Sequence, residues 1–225
     1  MESTHLNARK RLYQLLPFIL SVAGLLLMAD LSPDPSPTQD LNAYQRSLQQ
    51  KLAPKVHIGD WVVRAGTGHE SQLIQQLSGN PYSHIGVISQ TQPEIRVIHA
   101  TTTDDHQRLN QVISSSLAEF TQSKWATTWA VYRHTGLSNT QIQQQIHDLN
   151  QMLGQPFVLE SRENHPRYCT TIVYDSLPVS IQQQVPWQTV SLSVIKGDLL
   201  FPKAFIELKG SQLIYQQAPI SKIGF

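Results

Sequence analysis

The clearest hydrophobic pattern in the chain lies in the stretch SNTQIQQQIHDLNQMLG, where Ile142, Ile146, Leu149 and Leu153 recur at helical spacing among polar residues. Ser138 followed three residues later by Gln141 is a capping box, and Gly154 and Pro156 stop the helix. Leu41, Tyr44, Leu48 and Leu52 mark a shorter amphipathic helix, and ESQLIQQLSG and SSSLAEFTQ read as two more. Other apolar runs are short and rich in β-branched residues. VHIGDWVVRAG, SHIGVISQ, EIRVIHAT and ATTWAVYRH read as strands, and TVSLSVIKGDLLF as strand-like. The second and third are joined by TQPE, so they form an antiparallel pair. CTTIVYDSL reads as a helix ended by Pro178. Strands and helices mix with hairpin-like neighbours, which predicts an α+β domain built on an antiparallel sheet.

One segment breaks this pattern. Residues 12–29 are mostly apolar and uncharged, and they follow the basic cluster Arg9, Lys10, Arg11. As a helix they would reach about 27 Å, close to the hydrocarbon thickness of a bilayer. Basic residues before the run and Asp30 and Asp34 after it predict residues 1–11 in the cytoplasm and the rest outside. Cleavage after Ala29 would put Leu27 two residues earlier, a poor site, so the run reads as a signal anchor rather than a cleaved signal peptide, whose alternative product is secreted. Residues 30–55 then serve as a linker, with the Pro/Ser stretch SPDPSPTQ and the short amphipathic helix, and 56–225 as the folded domain.

Composition changes the picture little. Charged residues are 15% and the formal net charge is +1, so no basic field points to nucleic acid. There is no P-loop, GxGxxG or HExxH, and no cofactor is called for.

The chain has one cysteine, Cys169, at the head of CTTIVYDSL. A lone cysteine is either a small buried hydrophobe or a thiol kept for its chemistry. At a helix N-terminus the dipole and free N–H groups favour a thiolate, and a nearby histidine can do the same. Of nine histidines, His69, His106, His134, His147 and His165 fall in helices or loops and read as solvated, and His57 begins a strand. His84 and His99 sit at the start and end of the two hairpin strands, where they can meet across the ladder. They are either half-buried strand histidines or a base and its orienting partner. A metal site of His84, His99 and Cys169 lacks an evident fourth ligand, so no metal is expected.

The order GDWVVRAG, NPYSHIGVI, IRVIHAT, GQPF, RYCTTIVYDSL resembles the permuted papain-like, NlpC-related amidases, the YiiX/YebB-like group above all, over most of residues 56–205. The resemblance implies a circularly permuted papain-like fold, with the sheet packed on the helix that carries the nucleophile. It also implies His84 as base, Cys169 as nucleophile and His99 in the place of the third polar residue. Tyr82 and Tyr168 become candidate oxyanion donors beside the Cys169 N–H. Thr170-Thr171 replaces the family's Ser-Glu, and Phe157-Val158 its Tyr-Asp. The reading is a membrane-anchored cysteine hydrolase on the outer face of a bacterial inner membrane, acting on peptidoglycan peptide bonds. The alternatives are an acyl hydrolase or acyltransferase on a lipid substrate, and an inactive binding module.

Overall fold

Four apolar or small residues flank a single cation in WVVRA, and all five are buried. A strand buried on both faces belongs in the middle of a sheet. The computed structural model, which describes residues 37–191 and 196–217, puts it there. β1 (Trp61–Gly66), β2 (His84–Gln90), β3 (Arg96–Thr101), β4 (Gln111–Ser116), β5 (Ala126–His134) and β8 (Ser211–Gln216) form a six-stranded sheet in the order β4-β3-β2-β1-β5-β8. Every pairing is antiparallel. β6 (Gln188–Ser191) and β7 (Lys196–Leu199) make a separate two-stranded ribbon.

Alternation along the strands sorts side chains into two cores. On one face, Val63, Ile85, Val87, Ile98 and Ala100 pack against Cys169, Ile172 and Val173 of α5 (Cys169–Asp175) and Leu149 of α4 (Asn139–Met152). The rest of that face is closed by Ile181 of α6 (Val179–Gln182) and Phe205 of α7 (Lys203–Ile206). On the other, Val62, Ile88, Val97 and Trp129 meet Leu48 and Leu52 of α1 (Pro37–Leu52) and Leu117 and Phe120 of α3 (Leu117–Thr121). Leu52 is fully buried, and its truncation to Ala would cost about 2–5 kcal/mol. The compact unit therefore takes in the sequence from Leu41 onward. α2 (His69–Ser78) connects β1 to β2 and ends on Gly79 in the left-handed conformation.

The α4 capping box is formed, with Gln141 N–H on Ser138 Oγ and Ser138 N–H on Gln141 Oε1. Three expectations need correction. α1 starts at Pro37, inside the stretch read as linker, because proline is well suited to a first helical turn, where its missing N–H has no partner to lose. Ser114–Ser116 end strand β4 rather than begin a helix: Ser116 is the N-cap of α3 and shares a capping box with Glu119. β8 has no counterpart in the sequence reading, since SQLIYQ is a half-exposed edge strand with a weak apolar face. The expected anchor, residues 12–29, and the first part of the linker lie outside the described residues. Among the described residues no helix is long and apolar enough to cross a membrane.

Candidate functional site

β2 and β3 bring two histidines together. Val87 pairs with Ile98, and that register puts His84 and His99 diagonally across the ladder on the same face, within side-chain reach. His84 Nε2 lies 3.0 Å from His99 Nδ1, with the rings edge to face. Gly86 makes this possible. A Cβ there would meet Val97 Cγ1 at 2.5 Å and His99 Cβ at 3.1 Å, so the His-x-Gly spacing of SHIG clears the ground over which His99 lies. His99 is fully buried and its Nε2 is 3.1 Å from Ser115 Oγ on β4. Phe120 stacks on both rings from α3.

An ion pair lies behind the histidines. Arg64 stands opposite His84 in the β1–β2 register. Its Nη1 donates to the Phe120 carbonyl at 2.8 Å, and its guanidinium covers the Phe120 ring. Its Nη2 is 2.7 Å from Asp104 Oδ2, with both side chains almost wholly buried. That contact is close but poorly aligned: Arg64 Nε and Asp104 Oδ2 are both left without a well-formed hydrogen bond. Asp104 Oδ2 is also 3.9 Å from His99 Nδ1. Arg64, Asp104 and Ser115 escaped the sequence reading. A signal existed for Arg64, the lone charge in an apolar strand, since a buried charge demands a partner. Nothing marked Asp104 or Ser115.

The charges set the protonation states. Burial pushes His84 well below the usual imidazole range, and Arg64 and His99 push it further, against the pull of Asp104. Burial brings His99 down to about 3 despite Asp104. For Asp104 burial opposes ionisation, but Arg64, with the two histidines, outweighs it and holds the carboxyl at about 2. At neutral pH the cluster is therefore two neutral imidazoles and an ionised carboxylate.

Cys169 is the first residue of α5 and is 8% exposed. It packs in the same core as Ile85, the residue after His84, and its thiol forms no hydrogen bond with either histidine among the described residues. The expected thiolate does not follow. Burial pushes the thiol up to about 11, and the Ile85 N–H and Arg64 only partly offset it. At pH 7 such a thiol is ionised to roughly one part in ten thousand. α5 is seven residues long, and its N–H groups do not outweigh desolvation.

The neighbours of Cys169 fasten the helix. Tyr168 hydroxyl accepts from Leu200 N–H at 2.8 Å, and Thr170 Oγ1 donates to the Leu200 carbonyl at 2.7 Å. Together they grip one residue's backbone. Thr171 Oγ1 accepts from Tyr168 N–H. The Tyr82 hydroxyl lies toward Gln216 and Tyr132, where burial pushes it up to about 12. Both tyrosine hydroxyls thus have partners in the scaffold. Phe157 packs into the Cys169 core, and its N–H bonds the Asn110 carbonyl. Among the other histidines, His134 corrects the sequence reading: it is buried, with Nε2 on the Lys209 carbonyl and Nδ1 accepting from Gly136 N–H.

One ligand atom from each of His84, His99 and Asp104 lies within 4.8 Å of the others. Two donors about 2.0–2.1 Å from a tetrahedral zinc ion are roughly 3.4 Å apart. The observed 3.0 and 3.9 Å bracket that value. Where sequence spacing offered Cys169 as third donor, the structure offers Asp104.

No family model matches the chain, and no curated protein matches it. Among solved structures it is similar to the metalloprotein yiiX from Escherichia coli O157:H7, at 17% identity and a TM-score of 0.60, over 73% of this chain and 99% of that one. The chain thus has a YiiX-like fold, mixed α+β with an antiparallel sheet.

Proposed function

We propose that this chain is a cysteine hydrolase of the permuted papain-like kind, in which Cys169, His84 and His99 carry out acyl transfer to water. The observation that carries the reading is the His84 Nε2–His99 Nδ1 hydrogen bond of 3.0 Å at the start of β2, one residue before Ile85, whose side chain packs in the same core as Cys169. With Nε2 engaged, Nδ1 is the His84 nitrogen left to take the thiol's proton. In this reading His99 donates from Nε2 to Ser115 and accepts at Nδ1 from His84, which makes His84 Nδ1 the basic nitrogen.

A thiol near pKa 11 and neutral imidazoles make no preformed ion pair. Proton transfer accompanies attack, as in general-base catalysis. Cys169 Sγ bonds to the substrate carbonyl carbon as its proton passes to His84 Nδ1. The imidazolium, whose charge Asp104 favours, returns that proton to the leaving group. Water then cleaves the thioester by the same route. The free N–H groups at the head of α5 are the donors at hand for the oxyanion.

The substrate proposed is a peptidoglycan stem peptide outside the cytoplasm. Support comes from the charge pattern around residues 12–29 and from the resemblance to amidases. An acyl ester of a lipid is the alternative. Both are tested together: purified protein is offered muropeptide stems and lipid esters, and one class should be hydrolysed by the wild type and not by Cys169→Ala. If neither is turned over, the substrate proposal fails.

A second reading has its own observation. The E. coli neighbour is named a metalloprotein, and the donor set His84, His99 and Asp104 fits a divalent ion by atom type, spacing and protonation state. A bound cation would supply Lewis-acid polarisation of a carbonyl. Hydrolysis that survives Cys169→Ala and is lost with Asp104→Asn would favour this reading.

A further inference from the structure

We infer that the cleft between α4, α5 and the segment joining them binds a short peptide with both ends free, its carboxylate taken by Arg162 and Arg167 and its ammonium by Asp148 and Asp175. This binding is independent of the cysteine-hydrolase reading.

The cleft has a volume of about 640 Å³, and sites for small molecules measure roughly 300–1,000 Å³. Arg162 and Arg167 line it from the segment between the two helices, Asp148 from α4 and Asp175 from the end of α5. Tyr174 and Trp187 give it an aromatic lining, with ring centroids 5.3 Å apart and the rings edge on. Neither Cys169 nor the His84–His99 pair lines it.

Two charges of each sign share this one cavity. None of the four enters an ion pair among the described residues, whereas Arg64, Arg96, Arg108 and Arg133 each meet a carboxylate. Three of the four are held by other groups instead. The Arg162 guanidinium lies over the Trp187 ring, 4.9 Å from its centroid. Arg167 Nη1 donates to the Pro156 carbonyl at 3.2 Å, and its backbone is pinned to Val158 by two hydrogen bonds of 2.8 Å. Asp148 Oδ1 accepts from Gln144 Nε2 at 2.8 Å. A guanidinium has more donors, and a carboxylate more lone pairs, than these contacts use. A ligand of one sign would be repelled by half of these charges. A ligand with both signs finds an opposite charge for each, and a guanidinium fork matches a carboxylate. A free peptide is such a ligand, and two residues span at most about 7 Å between its charged ends.

The test is calorimetric titration of the full-length chain with alanyl-alanine, which should bind saturably at one site. Its N-acetylated and its C-amidated forms should each bind about tenfold more weakly, the worth of one charged hydrogen-bonding partner. Arg167→Gln and Arg162→Gln should weaken binding of alanyl-alanine and not that of its amide. Asp175→Asn and Asp148→Asn should weaken binding of alanyl-alanine and not that of its N-acetyl form. All four side chains lie at the surface of the cleft, and circular dichroism checks that the variants fold. Cys169→Ala should bind as wild type. No saturable binding, equal binding of the free and blocked peptides, or binding indifferent to all four variants overturns the site. Loss of binding in Cys169→Ala would place the peptide at the thiol and not in this cleft, and also overturns it. Phosphoethanolamine, which carries the same two signs as a lipid headgroup does, should bind more weakly than alanyl-alanine. Equal or tighter binding of phosphoethanolamine overturns the assignment to a peptide.

Discussion

Two arginine–aspartate pairs occupy this molecule, and they are built differently. Arg133 meets Asp60 in a fork, Nε on Oδ1 at 2.7 Å and Nη2 on Oδ2 at 2.8 Å, while His57 N–H and the Lys55 carbonyl take up the remaining capacity. Arg64 meets Asp104 through a single close contact, with Nε unpartnered. The first pair ties the turn after α1 to β5, and its polar groups are satisfied. The second sits deeper, under two histidines, and is not. Leaving a buried donor unmade costs on the order of 1–3 kcal/mol. The fold tolerates that beside His84 and His99, and such local concessions gather where side chains act.

This contrast can be broken by mutation. The largest effect on activity is expected for His84→Ala, which removes the base. Hydrolysis, measured as kcat/KM, should fall by about 10²–10⁴-fold. The same change should cost little in denaturant melts, whereas Asp60→Ala should do the reverse. That variant takes the carboxylate from the partly exposed Arg133 guanidinium and from His57 N–H, and should lower stability by about 1–3 kcal/mol with kcat/KM intact. Equal losses of activity in the two variants would end the contrast.

Asp104→Asn should act on catalysis more than on folding. Arg64 would lose its counter-charge beside His84, and kcat/KM should drop about tenfold. Asp60→Asn should leave kcat/KM unchanged, so a tenfold loss there would count against the assignment.

The pH dependence of stability sharpens the point. His84 and His99 are held below 6.5 in the folded state by burial first and by Arg64. Unfolding restores ordinary values, so below pH 6.5 the unfolded chain binds more protons. Stability should therefore be full above pH 6.5 and fall as the pH drops below it. Urea melts at pH 7.5 and 5 should show the loss in wild type, and it should shrink in His99→Gln. A flat profile in wild type would mean that the imidazoles are not kept neutral.

The smallest effect is expected for Ser115→Ala. His99 loses its hydrogen-bond partner at Nε2, and kcat/KM should fall a few-fold, with about 1 kcal/mol of stability. No change in either would leave His99 oriented by Phe120 and Asp104 alone.

Much of the scaffold was legible along the chain. Ser138, Gln141 and the leucine and isoleucine positions of α4 act within four residues of one another, so local pattern suffices. β2 and β3 are joined by a short loop, which is why His84 and His99 could be paired from sequence. Ser114–Ser116 misled because a serine-rich stretch before an apolar run resembles a helix start, while strand pairing with Arg96, Val97 and Ile98 decided it. His134 read as solvated because its distant partner, the Lys209 carbonyl, is set by the meeting of β5 and β8.

The sequence by itself determined a mixed α+β chain with one cysteine heading a helix and two histidines on one hairpin. The tertiary structure decided the chemistry around them. Asp104 and Asp105 are adjacent and chemically identical. Yet Asp104 is buried against Arg64, forty residues away, and Asp105 pairs with Arg108 in its own loop. No local pattern separates them, because the difference lies in which one the β1 cation reaches. The thiol follows the same logic. Its place at the head of α5 argued for an easily ionised Cys169, and desolvation by the packed sheet reversed the sign, since burial is a property of everything around a residue and not of the residues beside it in the chain.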